Sequence, residues 1–319
     1  MRRLTRAEFL EMMALAGAGS AVLGACGGDG AAGSAQQDGA ALPPRNARAS
    51  AKRDRRTVAV ARGPSPGNNV ERAVAAVGGM KAFVKPGDVV VVKPNVIHAR
   101  TPEYAVTTNP EVVGAVVRLA VQAGAARVLV MDNPLDGSPR NNYEVTGIAP
   151  AVENAGGAVH VMGEPGYRSY RIPGHVLGTH PIYRAIVDAD VLINVPVAKQ
   201  HGSTGLTLAG KNLMGATSDR GRMHQLGLSQ TIAELNAALL PELAVVDATR
   251  ILLRNGPSGG DLADVERKDT VVVSADWVAA DAWSTRLFGM SPDRVPYIAA
   301  GARMGLGTDD LDRVTVAEV

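Results

Sequence analysis

Three short apolar runs constrain the fold more than any other feature of the sequence. They lie at Val89–Val92, Arg127–Met131 and Asp190–Val195, and segments with helical character stand between them. Runs that are apolar almost throughout are typical of strands buried on both faces, as in parallel sheets. Parallel neighbours need crossover connections, which the intervening helices would supply. The sequence therefore predicts an α/β fold with a mainly parallel sheet and helices on both faces, arranged in one or two lobes.

Other segments fit the same alternation of strands and helices. Asn109, Pro110 and Glu111 give a helix-start signal, because they offer an N-cap, a fixed φ at the first helical position and an acid in the first turn. Gly124 gives the matching stop. We predict further strands at residues 57–61, 158–161, 243–246 and 270–273, and helices at residues 110–123, 145–155, 229–240 and from 274 onward.

The N-terminal residues have the layout of an export signal. Three arginines within the first six residues precede the small, apolar run Met12–Ala25. That run is shorter than the roughly 20 residues that a transmembrane helix needs, so we predict a signal peptide over residues 1–25. Residues 5–10 resemble a twin-arginine motif in which Ala7 replaces the second arginine, which leaves the export route open.

Cys26 ends the sequence Leu-Gly-Ala-Cys at residues 23–26, which resembles the lipobox of bacterial lipoproteins. On this resemblance Cys26 is the lipidation site, and the protein is exported and lipid-anchored to the membrane on its extracytoplasmic face. An ordinary signal peptide that contains a cysteine is the alternative. Because Cys26 is the only cysteine, no Cys-ligated iron–sulfur cluster can form within this chain.

Residues 26–56 are rich in small residues and arginine, so we predict a flexible basic linker there. Its basic cluster either contacts anionic lipid headgroups or is only solvated. The formal net charge of the whole chain is +2, of which residues 1–56 carry +4 and residues 57–319 carry −2. Residues 57–319 form the remaining domain and are slightly acidic, so nucleic-acid binding by a folded basic face is not expected.

Polar side chains follow several of the predicted strands. Lys93 and Asn95 come directly after the valine run, and Lys199 and His201 follow the third apolar run. In open α/β sheets, ligands bind beyond the carboxyl ends of the strands. A shared polar site is therefore one interpretation of these residues, and unrelated loop chemistry is the other.

The segment from Lys199 to Asn212 indicates an anion-binding loop. Lys199 and His201 stand two residues apart and would face the same way in an extended chain. Lys211 and Asn212 follow a glycine-rich stretch that offers backbone amides. The glycine spacing also matches a nucleotide P-loop, but Asn212 replaces the Ser or Thr that holds magnesium. We expect a small anionic ligand, with a hydrogen-bonded structural histidine as the alternative for His201.

Three aspartates and two glycines complete the candidate set. Asp281 lies among apolar residues, where an unpaired charge is costly to bury, so we expect it to be paired or to act as a ligand. Asp276 either caps a helix or, together with Asp247, ligates a divalent metal. Gly259 and Gly260 would let the backbone approach a ligand closely, although an ordinary surface turn has the same composition.

In chain order, these motifs resemble the domain of unknown function 362 family over about residues 57–317. Many members resemble iron–sulfur proteins through an attached ferredoxin-like segment; this sequence shows none, so the resemblance implies no electron-transfer role. Val197 stands where the family often has a lysine. The resemblance rests on Lys93-Pro-Asn, Thr108-Asn-Pro-Glu, Asp190-Val-Leu-Ile-Asn-Val-Pro, Lys199-Gln-His, Lys211-Asn-Leu-Met-Gly, Asp247, Gly256-Pro-Ser-Gly-Gly and Asp276 to Asp281-Ala.

The residues support two interpretations of different classes. In the first, the chain is a membrane-tethered extracytoplasmic enzyme acting on a small anionic substrate. In the second, it is a lipoprotein that only binds a ligand or a partner, which would need the basic loop but not a buried aspartate beside a histidine. We favour the enzyme; the sequence specifies neither its reaction, its cofactor nor a protein partner. The predicted roles are catalysis by His201, Lys199 and Asp281, substrate binding by Lys93, Asn95, Lys211, Asn212, Gly259 and Gly260, and divalent-metal binding by Asp247 and Asp276.

Overall fold

The computed structural model describes residues 39–43 and 55–319. The predicted signal peptide, Cys26 and most of the predicted linker lie outside the described residues. Among the helices that are described, none is both long enough and apolar enough to cross a membrane.

A ten-stranded sheet forms the centre of the domain, and two further strands form a separate hairpin. The order across the sheet is β12-β1-β11-β10-β7-β2-β3-β4, and β8 pairs with both β10 and β9. The strands are β1 (Thr57–Arg62), β2 (Val89–Pro94), β3 (Arg127–Val130), β4 (Ala158–Val159), β5 (Tyr167–Arg171), β6 (Thr179–Tyr183), β7 (Val191–Val195), β8 (Val197–His201), β9 (Gly205–Thr207), β10 (Leu243–Leu252), β11 (Val265–Ser274) and β12 (Thr315–Glu318).

The pairing confirms a mainly parallel sheet. Strand β2 runs parallel to both β3 and β7, β3 runs parallel to β4, and β7 runs parallel to β10. Two strands run the other way: β9 is antiparallel to β8, and β11 is antiparallel to both β1 and β10. The carboxyl end of β11 therefore lies at the edge of the sheet where the parallel strands begin.

Helices surround this sheet. They are α1 (Pro66–Ala76), α2 (Pro110–Gln122), α3 (Pro139–Val145), α4 (Ile148–Asn154), α5 (Arg184–Asp188), α6 (Ala209–Asn212), α7 (Arg220–Leu226), α8 (Leu228–Leu239), α9 (Trp277–Ser284) and α10 (Pro296–Arg303). Helix α2 begins as predicted, with the Asn109 side chain accepting a hydrogen bond from the backbone N–H of Glu111. The helix predicted at residues 145–155 is present over Ile148–Asn154 and begins three residues later than predicted, because Gly147 adopts φ 73° and separates α3 from α4.

The core covers both faces of the central strands. Val90 and Val92 of β2 belong to one cluster with Val112 and Val116 of α2. Val91, between them, faces the other side of the sheet and is also fully buried. This two-sided burial is the physical reason that β2 is apolar throughout its first four residues.

A short part of the predicted linker lies against the separate hairpin of β5 and β6. The Ala40 N–H donates to the Ser169 carbonyl at 2.9 Å, and the Arg171 N–H donates to the Ala40 carbonyl at 3.0 Å. The chain at Ala40 therefore extends the edge of β5, next to the folded domain.

Candidate functional site

A cavity of about 70 Å³ lies at the edge of the sheet where β2, β3 and β8 deliver polar side chains. It contains Lys93, Lys199, His201 and Lys211, four of the five residues that we expect to share one pocket, together with Asn95; the fifth, Asp281, is not part of the lining. Their chemical roles stay predictions. The full lining is Lys93, Asn95, Ile97, Asp132, Asn133, Leu135, Lys199, His201, Thr207, Lys211, Met214, Gly215, Arg220 and Pro257.

Lys93 is buried beside one carboxylate and two hydrogen-bond acceptors. Its Nζ lies 2.6 Å from Asp132 Oδ1 and donates to the Pro94 carbonyl at 2.9 Å and to Asn212 Oδ1 at 3.3 Å. Burial lowers the pKa of Lys93, and the Asp132 carboxylate opposes that shift. An ion pair with Asp132 and two hydrogen-bond acceptors surround Nζ, so the contacts of Lys93, in contrast to its burial, favour the charged form.

Asn212 connects the elements behind the cavity. Its Nδ2 donates to Asn194 Oδ1 at 2.8 Å, and its Oδ1 accepts from Asn95 Nδ2 at 3.0 Å. Asn194 in turn donates to the Ala209 carbonyl at 2.7 Å. The predicted substrate-binding residue Asn212 is absent from the lining, and its contacts instead hold α6 against β2 and β7.

Lys199 is 1% exposed and has a different environment from Lys93. Its Nζ donates to the Val106 carbonyl at 2.6 Å and to Asn95 Oδ1 at 3.2 Å. It forms no ion pair with any described carboxylate. Burial, reinforced by the nearby Lys211 charge, lowers the pKa of Lys199 to about 7.

The lining carries more basic than acidic groups. Asp132 is its single carboxylate among the described residues, against Lys93, Lys199, Lys211 and Arg220. Burial and the positive charge of Arg220 lower the pKa of Lys211 to about 8. Burial together with the crowding of positive groups therefore lowers the proton affinity of both Lys199 and Lys211.

His201 is a neutral hydrogen-bond donor in this arrangement. Its Nδ1 accepts a hydrogen bond from the Ser203 backbone N–H at 3.1 Å, so the proton of the neutral ring lies on Nε2. Burial and the charge of Lys211 lower the pKa of His201 to about 3. A ring with so low a pKa is a weak proton acceptor near neutral pH.

Two small features shape the cavity wall. Thr207, which pairs directly with Lys199 across β8 and β9, has a buried hydroxyl with no hydrogen-bond partner among the described residues. Gly215 lies so close to the ion pair that an added Cβ would be 1.9 Å from Asp132 Oδ1 and 2.6 Å from Lys93 Nζ. A glycine is therefore required at residue 215 for Lys93 and Asp132 to meet.

Three loops meet at the mouth of the cavity through a chain of hydrogen bonds. His98 Nδ1 lies 2.9 Å from Asp136 Oδ2, and His98 Nε2 lies 2.9 Å from Ser258 Oγ. In the sequence, His98, Asp136 and Ser258 each directly follow a residue of the lining. The Asp136 side chain is 61% exposed, so this series of hydrogen bonds is open to water. Its effect is to join the loop after β2, the loop after β3 and the loop between β10 and β11.

The structure places Asp281 outside this cavity, which corrects the expected position of that residue. Asp281 is paired as predicted, but with the backbone: its two oxygens accept from the N–H groups of Ala209 and Gly210, each at 2.8 Å. Burial raises the pKa of Asp281 to about 8. Asp281 thus fixes the start of α6, the helix that carries Lys211, and acts on the site as a positioning residue.

Asp247 and Asp276 also lie apart from the cavity, each bonded to backbone amides. Asp247 accepts from the Asn109 and Thr249 N–H groups, and Asp276 caps α9 and accepts from the Thr308 N–H. Asp276 follows β11, whose antiparallel direction carries it to the opposite edge of the sheet. In the described part of the chain, no three His, Cys, Asp or Glu side chains are grouped to hold a metal ion. Divalent-metal binding by Asp247 and Asp276 stays a prediction.

Gly259 and Gly260 are not part of the lining either; their loop reaches it through Pro257. An added Cβ on Gly259 would be 3.0 Å from Val106, and this residue has φ 57°. Gly259 therefore serves the packing of its loop against the Val106 segment rather than contact with a ligand.

The site includes residues that our sequence-based prediction omitted: Asp132, Thr207 and Arg220. Asp132 carries the same signal as Lys93, since it directly follows a buried strand. Thr207 and Arg220 carry no such signal, because they reach the cavity from the short strand β9 and from the start of α7.

The fold and the site define an α/β protein with a lysine-rich cavity at the carboxyl edge of a mainly parallel sheet. The chain belongs to the family described as Domain of unknown function (DUF362), whose model matches residues 90–286. Over 242 residues it is 31% identical to the thylakoid-associated protein sll1697 of Synechocystis sp., a match that covers 72% of this chain and 72% of that protein. The resemblance stated from the motifs is thereby confirmed.

Two solved structures are more distantly similar. The lactate racemase apoprotein from Thermoanaerobacterium thermosaccharolyticum matches with a TM-score of 0.44 and 11% identity, covering 72% of this chain and 56% of that chain. A protein from Thermotoga maritima matches with a TM-score of 0.43 and 11% identity, covering 72% of this chain and 60% of that chain. The present chain thus spans less than two thirds of the length of either.

Proposed function

We propose that this chain is an enzyme that binds a small anionic substrate in the lysine-rich cavity and moves protons through Lys199. The observation that carries the proposal is the excess of basic over acidic groups in the lining. Positive groups brought together repel one another, and this repulsion falls when an anion binds among them. Anion binding and protonation of the buried amines therefore favour each other.

Lys199, rather than His201, has the proton affinity that acid–base catalysis needs. A catalytic acid or base works best when its pKa lies near the working pH. The pKa of Lys199 is lowered to about 7 and that of His201 to about 3. We therefore assign proton transfer to Lys199. We assign His201 the role of a hydrogen-bond donor through its Nε2. A protein that only binds an anion would need the charged groups but not an unprotonated buried amine.

Calorimetric titration with oxalate tests the anion site. We expect oxalate to bind the wild-type protein and to bind Lys211→Met about tenfold or more weakly, because a hydrogen bond to a charged group contributes about 1.5–3 kcal/mol. Lys81→Met, which removes an exposed lysine from a turn outside the cavity, should bind like wild type. Equal affinity in wild type and Lys211→Met would show that the cavity is not the anion site.

We also propose that the protein is exported and held at the membrane by a lipid on Cys26. The support is the lipobox-like sequence at residues 23–26 behind the basic and apolar N-terminal segment. The name of the relative from Synechocystis, which describes a thylakoid-associated protein, is consistent with a place at a membrane.

A further inference from the structure

We propose that Lys199 forms an imine with a small 2-oxo acid in the lysine-rich cavity. This inference rests on the proposed function and makes it specific, since it names both the substrate class and the nucleophile. The buried lysines Lys93 and Lys199 differ in the groups that surround each nitrogen, and the sequence does not show this difference.

Hydrogen bonding leaves the lone pair of Lys199 free. A neutral amine has two N–H bonds, and Nζ of Lys199 has two acceptors, the Val106 carbonyl at 2.6 Å and Asn95 Oδ1 at 3.2 Å. No described carboxylate holds Lys199 as an ammonium ion. Lys93, by contrast, has an ion pair with Asp132 and two hydrogen-bond acceptors, and these contacts favour an ammonium ion, which has no lone pair. Of these two buried lysines, Lys199 has the environment of a nucleophile, and the low pKa that burial and Lys211 give it agrees with this.

The cavity selects the size and charge of the electrophile. A buried water needs roughly 10–15 Å³ of cavity volume. The cavity of about 70 Å³ therefore holds about five waters, or a ligand of about five or six non-hydrogen atoms. An amine nucleophile reacts with a carbonyl carbon, and the remaining basic groups, Lys211 and Arg220, favour a carboxylate beside it. Glyoxylate and pyruvate combine these properties within that size.

The reaction balances without an oxidant or a reductant. The Lys199 nitrogen attacks the carbonyl carbon, the C=O π bond opens, and one amine proton moves to the oxygen to give a carbinolamine. The hydroxyl then leaves as water with a proton supplied by the Lys211 ammonium group, and the nitrogen lone pair forms the C=N bond of the iminium ion. The unpartnered Thr207 hydroxyl, which belongs to the residue paired with Lys199, is placed to hydrogen-bond the carbinolamine oxygen.

Reductive trapping tests this inference. The full chain is incubated near pH 7 with pyruvate or glyoxylate and sodium cyanoborohydride, and the modified residue is located by peptide mass spectrometry. Exposed lysines with an ordinary pKa are almost fully protonated at that pH, so Lys199 has on the order of a thousandfold more neutral amine. Apart from any adduct on the α-amino group, whose ordinary pKa is about 7.7–8.0, we expect one adduct per chain. It should lie on Lys199, be lost in Lys199→Met, be retained in Lys81→Met and be suppressed by oxalate.

The outcomes separate this inference from the proposed function. If pyruvate and oxalate bind by calorimetry but no adduct forms on Lys199, the imine is wrong and the anion site stands. If neither compound binds, both proposals fail. An adduct on Lys211 in place of Lys199 would also overturn the assignment, since Lys211 is the other cavity lysine with a lowered pKa. So would adducts spread over surface lysines at a level that Lys199→Met does not change. Peptide mapping of the wild-type protein keeps the test valid even if a variant folds poorly.

Discussion

Lys93 and Lys199 lie in the same cavity, and their protonation is set by which groups surround each nitrogen. Lys93 faces the Asp132 carboxylate, whereas Lys199 faces a backbone carbonyl and an amide oxygen. Sequence could place both lysines after buried strands, because that pattern reflects sheet geometry. It could not tell which of them is ion-paired, since Asp132 reaches Lys93 from a different strand.

Lys199→Met should change how stability depends on pH. The pKa of Lys199 is about 7 in the folded protein and about 10.4 in an unfolded chain. Between these values the unfolded state binds more protons, so this residue makes the free energy of unfolding rise with pH. We expect urea titrations from about pH 6.5 to 9.5 to show a smaller rise in Lys199→Met than in wild type, with Lys81→Met following wild type. Identical pH profiles for wild type and Lys199→Met would contradict the lowered pKa.

At the scale of elements, the positions of the parallel strands could be predicted from the sequence, but the direction of β11 could not. The apolar runs located β2, β3 and β7, and parallel pairing then implied that Lys93 and Lys199 approach the same edge. The direction of β11 is decided by a long hairpin with β10, which no local pattern in residues 270–273 reveals. This explains why Asp276, although it also follows a strand, lies away from the cavity.

Asp281→Asn should weaken anion binding indirectly, by disturbing α6, because Asp281 does not line the cavity. Above about pH 8 the Asp281 carboxylate accepts two backbone N–H bonds at the start of this helix, and an amide can accept only one of them. We expect a loss of about 1–3 kcal/mol in the free energy of unfolding from the unpaired N–H. Oxalate affinity should fall as well, because Lys211 shifts with the helix. Wild-type affinity in a destabilised Asp281→Asn protein would show that this aspartate does not position Lys211.

Gly215→Ala should separate the ion pair beside the cavity. The turn that follows α6 passes so close that the new methyl group would overlap Asp132 and crowd Lys93. We expect a loss of about 1–3 kcal/mol in the free energy of unfolding from overpacking, together with weaker oxalate binding. Gly202→Ala is the matched control, since an added Cβ there meets nothing within 4 Å. If both variants behave alike in thermal unfolding and calorimetry, the close approach at Gly215 is unimportant.

At the scale of the whole molecule, Cys26→Ser tests the proposed membrane attachment. Without the thiol no lipid can be attached, so the variant should leave the membrane fraction or accumulate as an unprocessed precursor. Serine keeps the size and polarity of the residue, so folding of residues 57–319 should not change. Fractionation followed by intact mass measurement reads both outcomes. A variant with the fractionation and the processed mass of wild type would refute lipidation.

The central claim is that the cavity takes up a small anion together with a proton. An anion beside Lys199 and Lys211 raises the pKa of each amine, so binding near pH 8, where Lys199 is mostly neutral, must draw protons from the buffer. Titration of oxalate by calorimetry in two buffers of different ionisation enthalpy measures that uptake. We predict net proton uptake in wild type and in Lys81→Met, and a smaller uptake in Lys199→Met. Oxalate binding by the wild-type protein without any proton uptake would contradict the account.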